Sequence, residues 1–406
     1  MKLFEGGVTS PQGFRAAGIC AGIKKNRKDM AMLVSDVPCA LAGTFTSNLV
    51  KASPVIWDRD IVQRYGTAQA CVMNSGVANA CTGDMGDALC RQSAEAAAAA
   101  LNLSPEQVLL ASTGVIGMQI PIDTICEGIR TMSGMLSDSA EAASAAAEAI
   151  MTTDTKRKEI AVTFEIGGKT VTLGGMTKGA GMIHPQMGTM LCFLTTDVSI
   201  SSALAQKALL SCVQDSFNMI SVDGDQSTND TCLLLANGLA GNAQITEENE
   251  DYAVFLEALS EVTKNLARRM AADGEGAHAL FETVVKGASS RQQAVTLAKA
   301  VIESSLVKTA IAGHDANWGR IICAMGYSGA QFDPRRVDLV FRSAAGEVVI
   351  ARDGVSTGYS EELATKILSE AEITAVIDIK EGNESATAWG CDLTHEYITI
   401  NADYRS

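Results

Sequence analysis

Short apolar runs alternate with longer stretches of helical periodicity along almost the whole chain, and this alternation limits the fold more than any other feature. Met32–Val34, Cys71–Met73, Val108–Ser112 and Ile160–Phe164 read as strands. Val171–Leu173 follows Ile160–Phe164 across Gly167-Gly168, the pattern of a hairpin turn. Gly86–Leu101, Leu204–Phe217, Tyr252–Met270 and Arg291–Ser304 carry helical spacing. Glu396–Asn401 alternates polar and apolar residues and reads as a terminal strand. A chain of this kind is α/β. No repeat of 20–50 residues, low-complexity tract or Pro/Ser linker interrupts it. With 406 residues it suits two domains or one large α/β body. Only 7 prolines are present, so boundaries are poorly marked. The acidic stretch Thr246–Asp251 suits a surface break or a solvated helix start, and a structural boundary is expected within 245–285.

Composition removes several function classes. Hydrophobic residues make up 47% and charged residues 19%, enough apolar surface for a large core and too little charge for disorder. The net charge is −15, which repels phosphate backbones and anionic lipids, so neither nucleic acid nor membrane is an expected partner. No run approaches the roughly 18 apolar residues of a spanning helix, and Met1–Gly7 has no signal-peptide core. The 11 cysteines are odd in number, with no CxxC pair, as expected of reduced, mostly buried thiols in a cytoplasmic protein.

Several familiar motifs fail on spacing. Gly167-Gly168-Lys169-Thr170 resembles the end of a phosphate loop, but the first glycine would fall on Thr163. Asp223–Ser227 resembles a calcium loop, but its sixth position is Thr228 and its twelfth Leu234. Gly274-Glu275-Gly276 follows a helix instead of the strand that a dinucleotide site requires. The four histidines share no metal-ligand spacing, so no metal is expected, and only His184 lies near a candidate nucleophile.

One segment stands apart, Lys178-Gly179-Ala180-Gly181-Met182-Ile183-His184-Pro185-Gln186-Met187-Gly188-Thr189-Met190-Leu191. Gly179 and Gly181 allow close backbone approach or positive φ. Gly188 puts an unhindered carbonyl directly before the Thr189 hydroxyl, and Met190–Leu194 reads as a buried strand. This suits an N→O acyl shift followed by ester hydrolysis, which would leave Thr189 with a free α-amine as base beside its own hydroxyl. On spacing alone, a threonine that merely starts a core strand after a glycine loop is the better reading, since Gly-Thr dipeptides are common and Gly43-Thr44 is another.

The segment resembles the cleavage motif KG(S/A)GMIxPxMATML of the glutamate N-acetyltransferase, or ornithine acetyltransferase, family, with Gly188 in place of the usual alanine. Further segments match in the same order: Asn74–Gly83, Ser112–Gly117, Met151–Thr155, Asp223–Asp230, Asp273–Gly276 and Asn317–Arg320. The resemblance spans essentially the whole chain. It implies a self-cleaving α/β sandwich of sheets packed between helices, with a smaller second α/β region. It implies cleavage at Gly188-Thr189 into chains of residues 1–188 and 189–406, assembled as an α2β2 heterotetramer. Thr189 would be the nucleophile, and Thr113 and Gly114 the oxyanion hole. Thr152, Lys178, Thr189, Glu275, Asn401 and Ser406 would bind substrate, with Thr153 a neighbouring alternative to Thr152.

The implied reaction moves acetyl from N2-acetylornithine to L-glutamate through acetyl-Thr189, in arginine biosynthesis. It needs no cofactor, though some members also take acetyl from acetyl-CoA, and the sequence does not distinguish these. An aminopeptidase of the related self-cleaving fold is the rival enzyme, but such enzymes use serine as nucleophile. A binding protein that retains the fold is the non-enzymatic rival, and it would keep an uncut chain.

Overall fold

The computed structural model describes residues 1–184 and 190–403. They fall into two compact units. The first comprises Met1–Gly179, residues 190–218 and Gln226–Leu266, and the second comprises Ala180–His184, Met219–Asp225 and the described chain from Ala267.

The first unit is built on one nine-stranded sheet. Its strands are β1 (Lys2–Phe4), β2 (Phe14–Ile19), β3 (Met30–Phe45), β4 (Thr67–Val77), β5 (Val108–Val115), β6 (Lys158–Ile166), β7 (Lys169–Lys178), β8 (Leu191–Thr196) and β9 (Thr231–Ala236). They run in the order β1-β6-β7-β8-β9-β3-β4-β5, with β2 paired to β3. A register shift between Val34 and Cys39 divides β3. Its first half pairs with β2 and its second half with β9.

Alternate residues of β3 serve two cores, as the two-residue period of a strand requires. Met30, Met32 and Val34 pack with Ala94 and Ala97 of helix Gly83–Leu101 and with Ile125 and Ile129 of helix Ile122–Ser133. Ala31 and Leu33 face the other core, with Ala143 and Ala146 of helix Ala140–Ala149, Phe193 of β8 and Leu233 of β9. Both faces are covered, so several strands read as continuous apolar runs. The expected hairpin is present: Ile166 pairs with Lys169 across Gly167 (φ +56°) and Gly168 (φ +72°), the positive-φ pair that a tight two-residue turn demands.

The second unit carries a six-stranded sheet of β10 (Leu280–Ala288), β11 (Asp338–Ser343), β12 (Gly346–Arg352), β13 (Val355–Ser356), β14 (Glu372–Asp378) and β15 (Glu384–Cys391), in the order β13-β12-β11-β14-β10-β15. Helix Arg291–Glu303 packs on β10 and β15. The mixed α/β class expected from the alternation is therefore present in both units. Among the described residues no helix is long and apolar enough to cross a membrane, and all 11 cysteines are unbridged, most of them buried.

One local reading changes and one open alternative is decided. Glu396–Asn401 is helical, within His395–Ala402. Thr394 caps the helix by accepting the Glu396 amide (3.2 Å), and Ile398 is 67% exposed, so the alternating pattern meets no sheet neighbour. Alternation specifies a strand only when a partner edge supplies the other half of each ladder bond. At Thr246–Asp251 the solvated helix start holds in place of a break. Helix Glu250–Ala272 begins there, Asn249 accepts the Tyr252 amide (3.0 Å), and the chain on both sides belongs to the first unit.

Candidate active site

In the first unit the site begins where β4 and β5 end. The strands run parallel with Ser75 opposite Thr113 and Gly76 opposite Gly114, and then the register slips. Gly114 has φ +131°, and a Cβ there would overlap the carbonyl of Gly76, so no other residue fits. The strand end is pinned by amides. Asn229 Nδ2 donates to the carbonyls of Ala78 (2.6 Å) and Ser112 (2.8 Å), and Ser112 Oγ donates to Asn74 Oδ1 (2.6 Å). Thr113 and Gly114 therefore project from a rigid base, as oxyanion donors must.

Lys178 closes β7. Its register partner is Leu191 of β8, which sets the lysine beside the start of the strand that follows residue 189. It is 7% exposed, and its Nζ donates to Thr113 Oγ1 (3.4 Å). Three of the expected positions thus converge: Thr113, Gly114 and Lys178.

Asp154, which the sequence offered only inside a matching segment, ties Lys178 to Thr152. Its carboxylate accepts Lys158 Nζ (2.7 Å), the Gly179 amide (2.7 Å) and the Thr152 amide (3.0 Å). Burial pushes this carboxyl up, but the ammonium groups of Lys158 and Lys178 and the hydrogen bonds outweigh it and hold it well below the usual range. One buried anion therefore fixes the residue after Lys178 and the expected substrate residue Thr152. Thr152 and its neighbour Thr153 are both half-buried.

Asp230 is a second acid that motif reading missed. It lies one residue before β9, where the Thr231 amide donates to the Met190 carbonyl (2.9 Å). The residue is 1% exposed and its carboxyl neighbours Thr46, Ser227 and the Met190 amide, but among the described residues neither carboxyl oxygen has a hydrogen bond of good geometry. Burial pushes this carboxyl well above the usual range, against the lowering effect of its neighbours and of Lys178. A buried carboxyl beside the Met190 end of β8 has no signature in the sequence beyond its place at the end of Asp223–Asp230.

In the second unit Glu275 is 7% exposed and accepts Asn401 Nδ2 (2.7 Å), and its amide donates to the Ala180 carbonyl (2.8 Å). Glu275 and Asn401 are thus brought together. A Cβ on Gly181 would overlap the Glu275 carboxyl, which is the close approach that this glycine permits. Asp223 accepts the amides of Met182 (2.6 Å) and Ile183 (2.9 Å) and the Tyr397 hydroxyl (3.2 Å), and it holds Met182 at φ +55°. Burial and the neighbouring Asp223 push the Tyr397 phenol up, so it stays protonated as a donor.

His184 does not complete a serine triad. Its Nδ1 faces both Ser221 Oγ (3.4 Å) and Glu303 Oε1 (3.4 Å), whereas a relay needs acid and nucleophile on opposite ring nitrogens. Ser221 is also buried. Among the described residues no group of three or more His, Cys, Asp or Glu side chains is arranged to hold a metal. The expected scissile pair Gly188-Thr189 and the expected ligand Ser406 lie outside the described residues.

The chain is similar to proteins of one family along its whole length. A sequence profile of the ArgJ family matches residues 15–406. The arginine biosynthesis bifunctional protein ArgJ of Symbiobacterium thermophilum is 51% identical over 409 residues, covering 100% of both chains. A crystal structure of arginine biosynthesis bifunctional protein ArgJ from Bacillus halodurans is 45% identical with a TM-score of 0.50, spanning 52% of this chain and 98% of that one. A Mycobacterium tuberculosis ornithine acetyltransferase solved with ornithine is 40% identical with a TM-score of 0.43, spanning 47% of this chain and 99% of that one. A match of this extent, with the glycine-bound strand ends and the Lys178 segment in place, makes the chain a member of the ArgJ family.

Proposed function

We propose that this enzyme is an acetyltransferase of arginine biosynthesis that moves acetyl from N2-acetylornithine to glutamate. The observation that carries the residue assignment is the meeting of Thr113, Gly114 and Lys178 beside the start of β8. A nucleophile placed just before that strand would have two oxyanion donors and a cation for a substrate carboxylate at hand.

Self-cleavage comes first. Thr189 Oγ attacks the Gly188 carbonyl, the C–N bond breaks, and the acyl group moves to oxygen as the α-amine is freed. Water then cleaves the ester, leaving the Gly188 carboxylate and a free hydroxyl. An unperturbed α-amine titrates at about 7.7–8.0, so a useful fraction is neutral and basic near neutral pH.

Transfer follows by double displacement. The α-amine takes the proton as Thr189 Oγ attacks the acetyl carbonyl, and the oxyanion is held by the Thr113 hydroxyl and the Gly114 N–H. The C–N bond breaks, and the proton passes to the departing α-amine of ornithine. Glutamate's α-amine then attacks acetyl-Thr189, regenerating the hydroxyl and releasing N-acetylglutamate. Lys178 meets the α-carboxylate that donor and acceptor share, and Thr152 supplies a hydroxyl. Glu275, Asn401 and Ser406 meet the donor's amine-bearing side chain. Acetyl-CoA is a second donor to assay. The cleaved chains form an α2β2 assembly in the cytoplasm, as in the family this chain resembles.

The deciding experiment is a denaturing gel with N-terminal sequencing of wild-type and Thr189→Ala protein from a protease-free expression system. Wild type should give pieces of 188 and 218 residues (406 − 188), the second beginning Thr189-Met190, and Thr189→Ala one chain. A cut Thr189→Ala protein would end the nucleophile assignment. Incubation with N2-acetylornithine then shows whether acetyl reaches glutamate or water, which separates the transferase from an aminopeptidase-like hydrolase.

A further inference from the structure

The donor and the acceptor of this reaction differ in charge. N2-acetylornithine carries one carboxylate and one ammonium, whereas glutamate carries two carboxylates and one ammonium. Lys178 suits the carboxylate they share. The acceptor's second carboxylate must enter a protein of net charge −15 and needs a cation of its own.

Lys24 has the placement for this. The loop before it is fixed by Asp29, whose carboxylate accepts the amides of Ala21 (2.6 Å), Gly22 (3.0 Å), Ile23 (2.6 Å) and Lys24 (2.8 Å). The Lys24 stem lies against Gly76, where an added Cβ would sit 3.1 Å from its Cγ, and Gly76 pairs with Gly114. Its Nζ donates to the carbonyl of Met151 (2.8 Å), directly before Thr152. The head group therefore sits between the expected oxyanion strand and the Thr152 turn. An ammonium has three donors, and this contact uses one of them on a neutral carbonyl. The nearest acid toward the site, Asp154, already accepts Lys158 and two amides.

We infer that Lys24 binds the side-chain carboxylate of the glutamate acceptor and thereby sets acceptor specificity, with Lys178 on the shared α-carboxylate. This rests on the transfer reaction proposed above. The charged groups around Lys24 are Arg27 and Asp29 from its own segment, Lys178 from β7 and Asp154 from the turn after Met151. Burial, then Arg27 and Lys178, lower Lys24 to about 8 against the opposing pull of Asp29 and Asp154. The head group is therefore charged at neutral pH and loses its charge as pH rises past that value.

The test uses the self-cleaved enzyme and separates the half-reactions. Acetylation is followed on the Thr189-Met190 peptide with N2-acetylornithine alone, and deacetylation is followed against glutamate concentration. Lys24→Gln should raise KM for glutamate about 10-fold or more, the usual loss for one hydrogen bond to a charged group. KM for N2-acetylornithine and the acetylation rate should stay within about 2-fold. Lys24→Arg should restore most of the glutamate affinity, since arginine keeps the charge. In the wild type KM for glutamate should climb above pH 8, and in Lys24→Arg that climb should vanish.

Parallel rises in both KM values would overturn the inference, because a lysine that only holds the Met151–Thr152 turn would disturb donor and acceptor alike. If Lys24→Gln does not fold, the pH comparison with Lys24→Arg decides, and an unchanged alkaline rise refutes the assignment. If wild-type enzyme transfers acetyl with no acetyl-Thr189, the nucleophile reading falls, while the KM comparison still settles the role of Lys24.

Discussion

Replacing Asp154 with asparagine should uncouple the site from its scaffold and unfold much of its support. In the native protein this carboxylate pairs with Lys158, whose side chain is 2% exposed, and accepts the amides of Gly179 and Thr152. Asparagine keeps the shape but removes the charge, and it leaves Lys158 buried without its carboxylate, facing Lys178 across the same group. Breaking a buried ion pair in this way costs about 3–5 kcal/mol. The one amide left facing the asparagine Nδ2 would add about 1–3 kcal/mol if the losses were independent, but it shares its side chain with the ion pair, so the ion-pair figure is the better guide. In a cooperative unit of roughly 150–250 residues that loss lowers Tm by about 6–20 °C.

Differential scanning calorimetry on the purified Asp154→Asn protein checks this, with Asp154→Asn/Lys158→Met as the control. The double variant no longer buries a lone cation, so it should regain most of the lost stability. It should not regain activity, because one of the Gly179 and Thr152 amides, which use different oxygens of Asp154, then faces the asparagine Nδ2, a donor, in place of an acceptor. The pH dependence has a definite sign. The folded carboxyl sits below the unfolded value of about 3.9, so its contribution is complete above about pH 4 and fades as pH falls toward its folded value. The gap between wild type and variant should therefore narrow in acid. A loss under about 1 kcal/mol near neutral pH, or a double variant no more stable than the single, would refute the reasoning.

Two further outcomes follow from the same geometry. Thr113→Ala should slow formation of acetyl-Thr189 by about 10²–10³-fold, the usual effect of losing one oxyanion donor, while self-cleaved chains still accumulate; an acetylation rate within a few-fold of wild type in single-turnover assays would remove Thr113 from that role. Deleting residues 401–406 takes away the Asn401 bond to Glu275, so it should leave cleavage intact and raise KM for N2-acetylornithine more than KM for glutamate; full transfer activity in steady-state kinetics would show the tail to be dispensable.

Much of this protein is legible from its residues. Local rules are enough where the deciding forces are local. Short apolar runs place Met32–Val34, Val108–Ser112 and Ile160–Phe164 in strands, and Gly167-Gly168 turns the hairpin between β6 and β7. The Lys178–Leu191 segment marks the site because its glycines answer to close backbone approach, as Gly181 does against Glu275. The tertiary structure decided what depends on partners distant in sequence. Residues 396–401 alternate like a strand, yet they coil, because no edge pairs with them and Tyr397 and Asn401 reach Asp223 and Glu275 from one helical turn. Thr113 meets Lys178 across 65 positions because folding brings the ends of β5 and β7, which are not paired strands, together, which composition cannot state. Asp154, Asp230 and Lys24 look like ordinary charges in the sequence. Burial and the neighbours that folding assembles around them make one a structural anchor, one an acid pushed well above the usual carboxylate range and one a lysine lowered to about 8. Those shifts come from desolvation and Coulomb fields, which depend on distances through space and not along the chain.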